Sequence, residues 1–170
     1  GLPEFDGELP SATLTEEITT PGAGQIRALV TVAGNPVLST PGGQKLDGAL
    51  GGLDFMVSID PYLNETTRHA DVILPPTTAL ERDHYDLIFH TLAVRDTARF
   101  TPAVFPKPAG ARHDWEIYRD LATRVLSRLD SKPPLKARLT TRARMSLSPT
   151  HTIALLLRRG RTGVTLSKLR

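Results

Sequence analysis

Two apolar runs joined by one amphipathic helix confine this chain to a small set of folds. Ile26-Arg-Ala-Leu-Val-Thr-Val32 is rich in β-branched residues and lies between glycine-containing breaks, which predicts a strand. Phe55-Met-Val-Ser-Ile59 predicts a second. Between them Leu46, Ala49, Leu50 and Leu53 recur at the spacing of a helix face, weakened by Gly48 and ended by Gly51-Gly52. Strand, helix, strand is a βαβ unit, so the two strands should run parallel with a right-handed crossover. Val72-Ile-Leu74, stopped by Pro75-Pro76, is a third run, short and fully apolar, as suits an interior parallel strand. The fold class predicted from this pattern is α/β.

The flanking segments are read by their punctuation. Residues 1–10 look like an extended lead-in. Ser11 to Thr19 predicts a short helix, with Thr13 and Glu16 spaced as a capping box. Ala33-Gly-Asn-Pro36 turns the chain sharply. Asn64 to Ala70 predicts one or two helical turns, with Glu65 and His69 paired at i, i+4. Leu87 to Val94 predicts further strand, and Pro102, Pro106 and Pro108 mark an extended loop. Asp114 opens the clearest helix, whose stripe is Tyr118, Leu121, Ala122, Val125, Leu126 and Leu129. Pro133-Pro134 ends the compact part. Ser148-Pro149 then starts a tail helix that Gly160 closes.

Composition narrows the chemistry. There is no cysteine, which excludes disulfides, thiolate metal sites and cysteine nucleophiles within this sequence. The five histidines lack metal-ligand spacing. No run approaches the roughly 18 apolar residues that span a membrane, and the first residues do not resemble a signal peptide. Without an initiator Met, the chain is expected to be a piece of a longer one, and a cytoplasmic location is expected. Charge is divided: residues 131–170 carry ten Lys/Arg and no Asp/Glu, whereas residues 1–130 carry eleven Lys/Arg and all 18 acids. The basic tail lacks interleaved aromatics for base stacking and matches no nucleic-acid-binding motif. A surface that packs on another part of a larger protein is favoured over a nucleic-acid role.

In a parallel sheet, Gly34-Asn35-Pro36 and Asp60 fall at one carboxyl edge, where open α/β sheets bind ligands. Asp60 either accepts hydrogen bonds from a base edge or ribose hydroxyls, or simply caps the element that begins at Pro61. Asn35 either offers its carboxamide to a ligand or serves the turn alone. Arg82 lies between Glu81 and Asp83 and either meets a base or phosphate or is solvated. Asp114 either reaches the same crevice or only N-caps its helix. The sequence contains no GxGxxG, no P-loop and no GxSxG.

Gly34-Asn-Pro36, Val57-Ser-Ile-Asp-Pro-Tyr62, Glu65-Thr-Thr-Arg-His-Ala-Asp-Val-Ile-Leu-Pro75 with Thr78-Ala-Leu-Glu81, and His113-Asp-Trp-Glu-Ile117 together resemble the molybdopterin oxidoreductases of the dimethyl sulfoxide reductase, formate dehydrogenase and nitrate reductase type. The likeness covers roughly residues 25–128. It implies a Rossmann-like, open, mostly parallel sheet flanked by helices over residues 25–130. Residues 1–24 would be a lead-in and residues 131–170 a basic extension packing on other parts of a parent enzyme. It implies that Asn35, Ile59, Asp60, Arg82 and Asp114 contact the guanosine end of one of two molybdopterin guanine dinucleotides on molybdenum. It also implies partners: the remaining domains of the parent and an electron-transfer subunit or redox partner. A 4Fe-4S cluster would sit elsewhere in the parent, since the family's iron–sulfur cysteines and its metal-ligating segment are absent here. This segment alone should not turn over substrate. The alternative reading is a non-catalytic α/β binding module with a basic tail for nucleic acid or an acidic partner.

Overall fold

The computed structural model describes residues 4–128, 134–160 and 163–169. The chain divides into two compact units, Gly1–Pro76 and Thr77–Arg170.

The first unit is α/β. It runs α1 (Leu14–Thr19), β1 (Ala28–Val32), α2 (Pro36–Ser39), α3 (Gly43–Leu50), β2 (Phe55–Ile59) and β3 (Val72–Ile73). The strands form a parallel sheet in the order β1-β2-β3. Register pairs Ala28 with Phe55 and Val32 with Ile59, so β1 and β2 end level. The helical stripe of α3 is the heart of the core: Leu46, Ala49 and Leu50 are buried with Ile18 of α1 and Met56 of β2. Apolar side chains at that spacing fold onto the sheet because one face of a short helix can be removed from water there.

Three local expectations are corrected. The capping box at Thr13 does not form, because Ser11–Thr13 is already a 3-10 turn; Thr13 has helical backbone angles and its hydroxyl donates to the Pro10 carbonyl. β3 lies at an edge of the described sheet rather than in its interior. Its ladder is cut short because Pro75 and Pro76 have no N–H to continue it, and Leu74 makes the last bond, to the Ser58 carbonyl. The segment 64–70 makes the helical turn expected, a 3-10 turn over Thr67–His69 with the Arg68 N–H bonded to the Asn64 carbonyl, but the Glu65–His69 pair does not form. Glu65 instead accepts from Asn35, and His69 Nε2 pairs with Asp47.

The join between α2 and α3 is tight. Gly42 carries φ 75°, a left-handed conformation that glycine adopts at no steric cost. At Gly43 a Cβ would lie 1.9 Å from the Val37 carbonyl oxygen.

The second unit contains an antiparallel pair, β4 (His84–Tyr85) with β5 (Phe100–Thr101), then α4 (Asp114–Arg128), α5 (Leu135–Ser146), α6 (Pro149–Arg159) and α7 (Leu166–Leu169). The strand expected within 87–94 is instead a 3-10 turn, Phe89–Leu92. Asp86 bends the chain there by accepting the N–H groups of Ile88 and Phe89. α4 starts at Asp114 as predicted, but its stripe is largely exposed, with Ile117 the buried residue and Val125 57% exposed; Leu129 lies outside the described residues. α6 matches its prediction: Ser148 accepts the His151 N–H and Gly160 closes the helix. α5 follows Pro134, where the compact part was expected to end. Its sequence is rich in strong helix formers but shows no clean apolar stripe.

Candidate functional site

The level ends of β1 and β2 put Asn35 and Asp60 at one edge of the sheet, as the βαβ pattern requires. The chain leaves β1 through Ala33, a non-glycine residue at φ 48°, a conformation such residues rarely adopt. The Ala33 N–H donates to the carbonyl of Ile59. The Ile59 side chain is buried in the core, so Ile59 faces the edge only through its backbone.

Asp60 is 6% exposed. Its Oδ1 accepts the Tyr62 N–H at 2.8 Å, a local turn that gives the capping role substance. Its Oδ2 makes no hydrogen bond among the described residues and stays in contact with solvent. Through Oδ2 this nearly buried carboxylate can accept from a donor outside its own turn.

Asn35 is engaged within its own unit. Its Nδ2 donates to Glu65 Oε2 at 2.7 Å, and its Oδ1 accepts from the Thr66 hydroxyl at 2.7 Å. Thr66 Oγ1 in turn accepts the Val37 N–H at 3.1 Å. Asn64 Oδ1 accepts the N–H groups of Thr66 and Thr67, while the Thr67 hydroxyl donates to the Tyr62 carbonyl. Thr66 and Thr67 are fully buried. The Gly-Asn-Pro turn and the Glu-Thr-Thr segment are therefore two halves of one network. Asp71 is also structural: its carboxylate accepts the Met56 N–H at 2.7 Å and its own N–H donates to Met56, fastening it to the start of β2.

These roles of Glu65, Thr66, Thr67 and Asp71 were not found from the sequence. The available signal was Asn64 with threonines two and three residues on, a pattern suited to side-chain-to-backbone turns.

Two carboxylates of this unit are held low. The Asn35 amide keeps Glu65 below its ordinary range. Arg68, and after it His69, does the same for Asp47 through hydrogen bonds, with His69 Nε2 at 2.6 Å. A depressed folded-state pKa contributes stability above the unfolded value, near 3.9 for Asp, and that contribution is lost as pH falls through the folded value. Asp47→Asn is therefore expected to flatten the acid limb of the stability–pH curve below about pH 4. Urea unfolding at stepped pH reads this directly, and parallel curves for the two proteins would refute it.

In the second unit Arg82 and Asp114 meet each other. The Arg82 guanidinium forms an ion pair with Asp114 Oδ2, and Asp114 Oδ1 accepts the Trp115 N–H at 2.8 Å. Asp114 is the first residue of α4 rather than its N-cap. The capping work falls to Glu116, which accepts the His113 N–H at 2.8 Å, while His113 Nδ1 and the Thr77 hydroxyl are hydrogen-bonded at 2.7 Å. The pair lines an open cleft of about 740 Å³ shared with Tyr85, Lys107, His113 and Trp115. His113 stacks on Trp115 with centroids 6.4 Å apart, and the Arg119 guanidinium lies 5.2 Å from the Trp115 ring.

The family model described as "Molybdopterin oxidoreductase" matches residues 4–124. The assimilatory nitrate reductase catalytic subunit of Bacillus subtilis (strain 168) is 36% identical over 101 residues, covering 59% of this chain and 13% of that protein. The F420-dependent formate dehydrogenase subunit alpha of Methanocaldococcus jannaschii is 34% identical over 113 residues, covering 66% and 16%. The thiosulfate reductase molybdopterin-containing subunit PhsA of Salmonella typhimurium is 35% identical over 79 residues, covering 43% and 9%. The matched region is thus no more than 16% of the length of any of these relatives.

Proposed function

Because the chain belongs to the molybdopterin oxidoreductase family, we propose that it is part of a molybdenum-dependent oxidoreductase and holds the guanosine end of a molybdopterin guanine dinucleotide. The family implies a molybdenum–pterin cofactor, and the side chains present suit the nucleotide form. The observation that carries this reading is Asp60, a nearly buried carboxylate at the carboxyl edge of a parallel sheet whose Oδ2 is not used by the described residues and is accessible from outside. Such an oxygen accepts an N–H from a guanine edge or an O–H from ribose. Arg82 and Asp114 supply a cation for phosphate and an acceptor for a base, in a cleft that His113 and Trp115 also line.

Each residue acts by binding or positioning. Asn35 keeps one N–H and one lone pair beyond its internal bonds, and its main work is to fix the turn. Ile59 contributes backbone. When bound, the cofactor supplies two-electron redox chemistry at molybdenum. In this proposal residues 25–130 are the nucleotide-holding domain, preceded by a lead-in over residues 1–24. Residues 131–170, basic throughout, pack on other parts of the parent enzyme. A 4Fe-4S cluster, with its cysteine ligands, belongs to those other parts, since this sequence has no cysteine; the protein ligand to the metal and the contacts with an electron-transfer subunit are assigned to those parts in the same proposal. No described helix is long and apolar enough to cross a membrane; a cytoplasmic location is part of the proposal.

The test is Asp60→Asn in the intact enzyme, a change that preserves the oxygen accepting the Tyr62 N–H. Loss of a charged hydrogen bond to the nucleotide is worth roughly 1.5–3 kcal/mol, or about a tenfold or greater drop in cofactor affinity. Guanosine monophosphate released by acid hydrolysis should fall together with molybdenum content. Unchanged release of both would remove Asp60 from the site, and molybdenum without guanosine monophosphate in the unaltered enzyme would rule out the dinucleotide.

A further inference from the structure

We infer that Arg82 stands in for the nucleotide at Asp114, so that loading is an exchange in which Arg82 leaves the carboxylate for a phosphate. The inference rests on the cofactor reading above. Both oxygens of Asp114 already have donors: Oδ1 takes the Trp115 N–H of its own helix, and Oδ2 takes Arg82. A guanidinium is a planar group with N–H donors along its edge, as is the N1–H and N2–H edge of guanine. The two compete for the same oxygen. The Arg82 and Asp114 side chains are 41% and 31% exposed, and ion pairs of that exposure are weak, so a nucleotide can displace Arg82 at little cost.

The surroundings bear on where Arg82 goes. Its neighbouring acids each serve the local backbone. Glu81 accepts the Thr78 N–H, and Asp83 accepts the Ala103 N–H and the Thr150 hydroxyl. Lys107 of the same cleft is held by Glu116 at 2.9 Å. A released Arg82 has lost the carboxylate that the nucleotide now occupies, and it becomes a cation of the cleft available to an anion. The device favours ligands that bring both a guanine-type donor edge and a phosphate, because only these repay both halves of the exchange.

The experiment is a titration of the 170-residue chain with guanosine and with GDP, followed by the fluorescence of Trp115, the single tryptophan. Arg82→Gln should bind guanosine about threefold more tightly than the unaltered chain, since the weak competing pair is gone. The same variant should bind GDP about tenfold more weakly, since a charged hydrogen bond to phosphate is lost. Asp114→Asn should weaken both ligands. If Arg82→Gln binds guanosine no better while the unaltered chain binds GDP, the exchange is wrong and the nucleotide site stands. If the unaltered chain binds neither ligand, the site in this cleft falls and the exchange falls with it.

Discussion

Gly43→Ala is expected to lower the unfolding free energy by about 3 kcal/mol, the upper end of what overpacking usually costs. The new Cβ would sit 1.9 Å from the Val37 oxygen and 2.9 Å from the Val37 carbonyl carbon. Both are backbone atoms, so no side chain can rotate aside. Relief requires α2 and α3 to move apart, and α2 begins at the Asn35-Pro36 turn. The damage therefore reaches the sheet edge as well as the core. Gly48→Ala, in the same helix, is the internal control. A Cβ there meets nothing within 4 Å, so the substitution should stabilise by about 0.5–1 kcal/mol through helix preference and a less flexible unfolded chain. Urea denaturation midpoints separate the two, and similar losses for both would contradict the packing account.

Thr66→Val is expected to cost about 2–3 kcal/mol despite preserving side-chain volume. The Thr66 hydroxyl is fully buried, donates to Asn35 and accepts from the Val37 N–H. Valine leaves a donor and an acceptor without partners, and each unsatisfied buried group costs roughly 1–3 kcal/mol. Thr66→Ser, which retains the hydroxyl, should recover most of the loss. The same denaturation experiment tests this, and a serine variant as unstable as the valine one would show that the methyl group, rather than the hydroxyl, matters.

The fold of the first unit was legible because periodicity and topology speak directly: Phe55–Ile59 is the strand predicted, and Leu46, Ala49 and Leu50 are the buried helix face predicted. Placement of Asn35 and Asp60 at one edge followed from parallel strands alone. What was not legible is partner choice. A carboxylate such as Glu65 can reach several donors, and only the fold shows that Glu65 takes Asn35 while His69 pairs with Asp47. The residues alone left Arg82 between a ligand and solvent and Asp114 between the crevice and a helix cap; their pairing with each other, which spans 32 residues of sequence, was in neither reading. The 3-10 turn at Phe89–Leu92 was missed because one aspartate side chain outweighed an apolar composition.

The network joining Asn35 to Glu65 and Thr66 has a consequence for inheritance. Two segments about thirty residues apart share one set of hydrogen bonds, so neither can drift alone without leaving the other's donors or acceptors stranded. A recombinant that took its Gly-Asn-Pro turn from one relative and its Glu-Thr-Thr segment from another would carry two unmatched halves, and crossover points between them would be selected against.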